Sequence, residues 1–192
     1  PENYNDSIVS IYLGTDYKIA SGLKYKVFED NIGYIRCESF ANGIGDGNLS
    51  NALTELSTCN GLIIDVRNNG GGNLTNAHKL ASAFTNERRL VGYTTHKTGK
   101  HRNDFSKPEA VHIEPFKGVR WQKPVVVLTN RSCYSATNDF VMCMQTFPNV
   151  TTMGDSTGGG SGMPFTLEIP SGWSVRYSAV VTYDSQMRHV EF

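Results

Sequence analysis

The sequence predicts an α/β fold, because buried strands and helices alternate along the chain. Two apolar runs, GLIIDV (61–66) and PVVVLT (124–129), have the length and continuity of strands covered on both faces in a largely parallel sheet. Each run is followed by a turn and then by a segment with apolar residues at helical spacing, over 74–84 and 136–145. This repeated order of strand, turn and helix is the main evidence for the fold class.

Smaller elements precede and follow these two units. Residues 24–40 alternate around a Glu-Asp-Asn turn and predict a β-hairpin, while residues 49–58 place apolar side chains on one face of a short helix. Beyond residue 163, short apolar stretches separated by Pro-Ser-Gly predict a second hairpin. The polar stretch 93–123 is predicted to be a loop, and the alternating end 189–192 is predicted to be a strand.

Composition limits the classes of protein that the chain can belong to. Its 192 residues are 39% hydrophobic and 19% charged, which predicts one globular domain over 1–192. The formal net charge is zero and therefore gives no electrostatic drive toward nucleic acid. The apolar runs are far shorter than the roughly 18 residues of a transmembrane helix. The four cysteines include no CxxC pair, so we expect no metal site.

The two ends of the chain have a feature in common, since neither has the character of a natural terminus. The sequence starts at Pro1 without Met and stops inside a strand-like pattern at Phe192. We therefore expect a fragment that lacks the N-terminal part of its parent protein.

Glycine is concentrated in two clusters, of which the first, Gly70–Gly72, follows three residues after the predicted strand 61–66. Three interpretations of this turn are open. A phosphate-binding loop would need GxxxxGK[ST] or GxGxxG, and neither pattern is present. The turn could be purely structural, or its backbone N–H groups could form part of an oxyanion hole.

A candidate nucleophile follows the second strand, in the turn NRSCYSATNDF. Ser135 lies at the junction between strand and helix, where backbone N–H groups can stabilise negative charge. A serine at this place is also an ordinary helix N-cap, so its local pattern leaves both roles open. Cys133 is a minor alternative nucleophile without a paired histidine, and Cys143 is predicted to be a core residue.

These motifs together resemble the core of the tail-specific, or C-terminal-processing, serine peptidases. GLIIDVRNNGGG, PVVVLTNRSCYSATNDF and GDSTGGGSG occur here in the order and spacing of that family. The resemblance extends from IGYIRCESF at 32–40 to the C-terminal end. It implies a crotonase-like (ClpP/crotonase-type) α/β core with ββα units and hydrolysis of peptide bonds through an acyl-enzyme, with no cofactor.

The resemblance also implies roles for individual residues. Ser135 resembles the nucleophile, and the N–H groups of Gly72 and Ala136 resemble the two oxyanion donors. Gly71 and Gly159 are the glycines that would contact the substrate.

The chain departs from the chloroplast and bacterial processing enzymes, which pair the serine with a lysine. Gly160 stands at the position of that lysine, no Lys or Arg lies between Arg131 and Arg176, and Asn138 replaces a glutamate. The sequence therefore resembles the tricorn-like, retinoid-binding-protein-related branch, which uses a histidine base oriented by a glutamate. Glu191 resembles that glutamate.

The general base is not evident among the histidines of this sequence. In the tricorn-like branch it lies upstream of the matching core, so we expect it to come from outside this fragment. A structural interpretation is given to each histidine present, namely His78, His96, His101, His112 and His189.

The sequence thus predicts a serine peptidase acting on peptides or unfolded proteins, without nucleic-acid partners or a transmembrane segment. A non-catalytic ligand- or peptide-binding domain on the same fold is the alternative. The resemblance implies a periplasmic, lipoprotein or secreted parent. Trp173, beside the Pro-Ser-Gly turn, is predicted to line a cleft. Oligomeric state, substrate preference and the disulfide status of the cysteines are left open.

Overall fold

A computed structural model describes residues 5–191, and the chain is built around a six-stranded mixed sheet. In chain order the elements are α1 (Asp6–Leu13), β1 (Lys18–Ala20), β2 (Leu23–Val27), β3 (Ile32–Cys37), α2 (Asp46–Glu55), β4 (Gly61–Asp65), α3 (Leu74–Ser82), β5 (Arg89–His96), β6 (Glu109–Ile113), β7 (Val125–Thr129), α4 (Ala136–Met144), β8 (Val150–Gly154), β9 (Pro164–Glu168), β10 (Ser174–Ser178) and β11 (Val180–Asp184).

The central sheet has the strand order β1-β2-β3-β4-β7-β8. Strands β1, β2 and β3 are antiparallel, whereas β3, β4, β7 and β8 run parallel. Ile64 in β4 lies between Ile35 of β3 and Val127 of β7, and all three side chains are buried. The continuous apolar runs of β4 and β7 therefore form the interior of the sheet, as the sequence predicts.

Helices α3 and α4 pack against each other and against a second sheet of three strands in the order β11-β5-β6. Their buried faces carry apolar residues at helical spacing, including Leu80 in α3 and Phe140 in α4. A single hydrophobic core extends from these helices through the central sheet to Leu53 of α2. None of the helices within residues 5–191 is long and apolar enough to span a membrane.

The α/β class, the two strand–turn–helix units and both hairpins agree with the sequence predictions. The prediction of a loop over 93–123 is wrong, because this stretch contains the end of β5 and all of β6, which pair antiparallel. Their side chains are largely exposed or half-buried, so these strands lack a continuous apolar run. The predicted strand at 189–192 is reduced to a single bridge between His189 and Tyr183, and Phe192 lies outside the described residues.

Strands β9 and β10 form a hairpin whose residues are exposed along both strands. Trp173 lies next to the tip of this hairpin with 75% of its surface exposed. The apolar side chains at this tip are exposed in the described part of the chain, and the prediction that Trp173 lines a cleft stays a prediction.

All four cysteines are buried and carry free thiols. Burial raises the pKa of Cys37 to about 12 and raises the pKa of the Cys133 and Cys143 thiols. Cys133 donates a hydrogen bond to the carbonyl oxygen of Val66, at 3.0 Å. Because a nucleophilic cysteine must be a thiolate, this environment disfavours Cys133 as the nucleophile.

A buried ion-pair network lies at the carboxyl end of β4. The fully buried Asp65 accepts hydrogen bonds from the Tyr34 hydroxyl at 2.8 Å and from Arg67 at 2.6 Å, and it pairs with Arg36 at 3.3 Å. Burial alone would raise the pKa of Asp65, but the hydrogen bonds and charges of Arg67 and Arg36 outweigh it and hold the pKa below its ordinary value. The network orders the start of the turn after β4.

We predict that Asp65→Asn lowers the free energy of unfolding by about 3–5 kcal/mol near neutral pH, because it removes the buried carboxylate that balances the charge of Arg36. Since the folded-state pKa lies below the unfolded value of about 3.9, the stabilisation is present above about pH 4 and is lost as pH falls through the folded-state pKa. Urea unfolding should therefore show that the difference in free energy of unfolding between wild type and Asp65→Asn becomes smaller at acidic pH. Glu29→Gln, on an exposed turn, is the control; an equal loss there would contradict the prediction.

Candidate active site

Two turns meet at the carboxyl ends of the neighbouring parallel strands β4 and β7. We call residues 67–73 the glycine turn and residues 130–135 the serine turn. The backbone N–H of Asn68 donates to the side-chain oxygen of Asn130 at 3.0 Å, and the side-chain amide of Asn130 donates to the side-chain oxygen of Asn68 at 2.8 Å. This edge of a parallel sheet is where α/β proteins place their ligand-binding and reactive groups.

A buried asparagine, Asn69, connects the two turns to β3. Its side-chain oxygen accepts from the N–H of Gly71 at 2.9 Å, and its side-chain amide donates to the carbonyl of Cys37 at 3.1 Å. Its own backbone carbonyl accepts from the N–H of Tyr134 at 3.1 Å. Asn69 therefore fixes the position of the glycine turn relative to the residue before Ser135.

The backbone of Ser135 is strained in the way expected of a nucleophile at a sharp turn. It has φ 57° and ψ −126°, a conformation that L residues rarely adopt. Its N–H donates to the carbonyl of Gly159 at 2.9 Å, which holds this conformation. The side chain makes no capping hydrogen bond to helix α4, so the N-cap interpretation of Ser135 does not apply.

Two backbone N–H groups stand close to this serine without an acceptor in the described part of the chain. They belong to Ala136, the first residue of α4, and to Gly72. A Cβ on Gly71, the residue before Gly72, would lie 2.8 Å from the Cβ of Ser135 and 3.0 Å from the backbone nitrogen of Ala136. The glycine turn and the serine turn are therefore in direct contact. Free N–H groups beside a serine hydroxyl can stabilise an oxyanion.

The glycine turn is itself held by the segment after β3. The N–H of Phe40 donates to the carbonyl of Gly71 at 2.9 Å, and the N–H of Asn73 donates to the carbonyl of Phe40 at 3.1 Å. These bonds leave the N–H of Gly72 between them unused. A Cβ on Gly72 would overlap the backbone nitrogen of Ala41, so only glycine fits here.

The second glycine cluster, residues 154–162, packs against the serine turn. Gly159 is buried and its carbonyl is used by Ser135, so it positions the serine; its contact with substrate stays a prediction. Gly160 has φ +83°, and a Cβ there would overlap the ring of Tyr134. A side chain at position 160 would therefore overlap this ring in the present conformation.

Glu191 and Ser135 line the same cleft, which has a volume of about 540 Å³ and also contains Gly72 and Arg176. The carboxyl group of Glu191 is half-buried, near Gly162. The structure thus brings together Ser135, Gly72 and Glu191, three of the residues that the sequence selects.

A second cavity, of about 840 Å³, is also lined by Ser135 and contains His78 and Asp139. Burial lowers the pKa of the His78 imidazole. Burial raises the pKa of Asp139 to about 7, a hydrogen bond from Ser161 opposes the rise, and the negative charge of Glu191 adds to it. The sequence analysis does not identify Asp139 as a site residue. Its position one helical turn after Ser135 is the sequence feature that would have indicated it.

The other histidines lie elsewhere in the described chain. His96 and His101 are exposed, and His112 is half-buried in β6. The ring nitrogen Nδ1 of His189 lies 2.7 Å from the carbonyl oxygen of Glu191. Within residues 5–191 no cluster of three or more His, Cys, Asp or Glu side chains could hold a metal ion.

A strained serine at a helix N-terminus, with two free N–H groups beside it, is an arrangement typical of acyl-transfer hydrolases. The chain belongs to peptidase family S41, whose model matches residues 31–192.

Individual relatives agree with this family. A carboxyl-terminal-processing protease of Synechocystis sp. is 27% identical over 162 residues, which are 83% of this chain and 35% of that protein. The crystal structure of a peptidase candidate from Parabacteroides merdae covers this whole chain and 61% of its own, with 51% identity and a TM-score of 0.94. The photosystem II D1 C-terminal processing protease has the same fold at 18% identity and TM-score 0.67, over 88% of this chain and 45% of that one.

We predict that Gly72→Ala and Gly70→Ala have very different effects. Gly72 has φ +136° and no room for a Cβ, whereas a Cβ on Gly70 would meet nothing within 4 Å. Gly72→Ala should lower the free energy of unfolding by roughly 2 kcal/mol or more, and Gly70→Ala by less than about 0.5 kcal/mol. Thermal unfolding of the two variants measures the difference. Equal stability would mean that the turn does not need the close approach to Ala41.

Proposed function

We propose that the protein is a serine peptidase that cleaves peptide bonds through an acyl-enzyme on Ser135. The observation that carries the proposal is the strained Ser135, with no capping bond, next to the free N–H groups of Gly72 and Ala136. Peptides and unfolded proteins are the proposed substrates. The chain spans 35% of the length of its Synechocystis relative, so the activity belongs to the longer protein.

In the proposed reaction, the Ser135 Oγ bonds to the substrate carbonyl carbon while its proton passes to a general base. The N–H groups of Gly72 and Ala136 donate to the oxyanion, and each such donor is worth about 3 kcal/mol of barrier. The base then protonates the leaving amine as the C–N bond breaks. Water then gives a proton to the same base while its oxygen bonds to the ester carbonyl carbon, and the base passes this proton to the Ser135 Oγ as the ester C–O bond breaks.

The base in this proposal is a histidine from outside residues 1–192, oriented by Glu191. Glu191 lies in the cleft of Ser135, where a histidine from another segment could reach both groups. The blocked position of a lysine at Gly160 supports a histidine rather than a Ser/Lys pair.

Further proposals concern the fold and the location of the parent protein. We assign the chain to the crotonase-like fold with ββα units and treat it as one peptidase core domain. The parent is proposed to work in the periplasm, as an envelope lipoprotein or as a secreted protein. The family resemblance is the basis for each of these assignments.

Ser135→Ala in the full-length protein should reduce cleavage of an unfolded protein by at least about 1,000-fold, because it removes the proposed nucleophile that forms the acyl-enzyme. Ser132→Ala, on an exposed position of the same turn, is the matched control and should retain cleavage. Mass spectrometry of the products measures both. A folded full-length protein without any Ser135-dependent cleavage would favour the ligand-binding alternative.

His78→Ala tests the origin of the base. His78 lines the cavity next to Ser135, so it is the histidine of this chain best placed to compete for the role. Loss of a general base costs roughly 100- to 10,000-fold in rate. We expect kcat to fall by less than about ten-fold in His78→Ala, because the base lies elsewhere. A larger loss with unchanged thermal unfolding would assign the base to His78.

A further inference from the structure

The 840 Å³ cavity beside Ser135 has mostly apolar walls and contains one acidic side chain next to the reacting serine. Its apolar lining consists of Leu74, Val91, Val111, Met142, Met163 and Phe165. The same cavity is lined by Ser135 and by Gly72 and Ala136, which supply the proposed oxyanion donors. Ala136 lines this cavity and is not among the lining residues of the 540 Å³ cleft, so the cavity adjoins both proposed oxyanion donors and can receive a side chain of a substrate bound there.

Asp139 contributes a half-buried carboxyl to the cavity wall, one turn after Ser135 on α4. Within residues 5–191, no Lys, Arg or His lies within ion-pair distance of it. Its neutral partner is the Ser161 hydroxyl, which also accepts from the side-chain amide of Asn138 at 2.9 Å. A carboxyl in such surroundings gains stability when a cation reaches it, because burial penalises an uncompensated charge.

The other charged and titratable groups at this cavity make no ion pair with Asp139 in the described part of the chain. Burial lowers the pKa of His78, so this imidazole supplies no positive charge near neutral pH. Arg176 on strand β10 also lines the cavity, and it is exposed. The charge of Glu191, from the adjoining cleft, adds to the negative potential at Asp139.

We propose that this cavity is the pocket for the substrate side chain preceding the cleaved bond, and that Asp139 selects a long side chain with an apolar stem and a cationic end, such as lysine. The proposal rests on the proposed peptidase function. The apolar walls receive the methylene stem, and the carboxylate receives the ammonium group. Asp139 is then a residue that determines specificity, and the acyl transfer remains with Ser135.

Binding to the inactive full-length Ser135→Ala protein tests the pocket without requiring cleavage. The probes are two product-like peptides that differ only in their last residue, lysine or norleucine, which have the same stem with and without the ammonium group. At about pH 8.5 we expect the lysine peptide to bind at least ten-fold more tightly, because Asp139 is then ionised. At about pH 5.5, where the carboxyl is protonated, the preference should fall to about three-fold or less.

Adding Asp139→Asn should abolish both the preference and its pH dependence while leaving the norleucine affinity within about two-fold. Asparagine has the shape of a protonated aspartate and should preserve the fold, which thermal unfolding verifies. Asp30→Asn, on the exposed turn between β2 and β3, is the matched control and should keep the preference.

Two results would overturn the proposal: equal affinity for the two peptides at both pH values, or a lysine preference that survives in Asp139→Asn. Absence of binding by either peptide would also contradict a product-like pocket here. Ser135-dependent cleavage by the wild-type protein is measured separately, so failure of the peptidase proposal and failure of this specificity proposal are distinguishable.

Discussion

The geometry of the candidate site depends on the buried amide of Asn69. Its side-chain oxygen, its side-chain N–H group and its backbone carbonyl each bond to a different segment: the glycine turn, β3 and the serine turn. A buried polar group that is left unpaired costs about 1–3 kcal/mol of free energy. Breaking any one of these three bonds without replacing it would therefore destabilise the arrangement by about that amount. Together with the Asn68–Asn130 bonds between the two turns, Asn69 therefore helps to hold the free N–H of Gly72 near the serine.

The parallel pairing of β4 with β7 provides the rigid base on which this arrangement stands. Its apolar residues are buried within the sheet, and the ion pairs of Asp65 order the chain just beyond it. The positive φ of Ser135 costs roughly 1–3 kcal/mol, which surrounding contacts must offset. The hydrogen bond from Ser135 to Gly159 shows that the second glycine cluster contributes to this offset.

The sequence predicts those parts of the structure whose pattern is local. The apolar runs of β4 and β7, and the spacing in α3 and α4, are sufficient to place both turns at one sheet edge. Strands β5 and β6 are missed within 93–123, because their pairing partners are distant and their surfaces are largely polar. Asn69 and Asp139 are missed for a related reason: their burial and partners arise only when separate segments come together, and the φ of Ser135 follows from the same packing.

The ring of Tyr134 has a consequence for how this site could change over evolution. It occupies the space into which a side chain at position 160 would project, and Gly160 itself has a left-handed backbone. In this conformation the Tyr134 ring and a side chain at position 160 exclude each other. A substitution of Gly160 would therefore be accommodated only together with a second change at or around Tyr134.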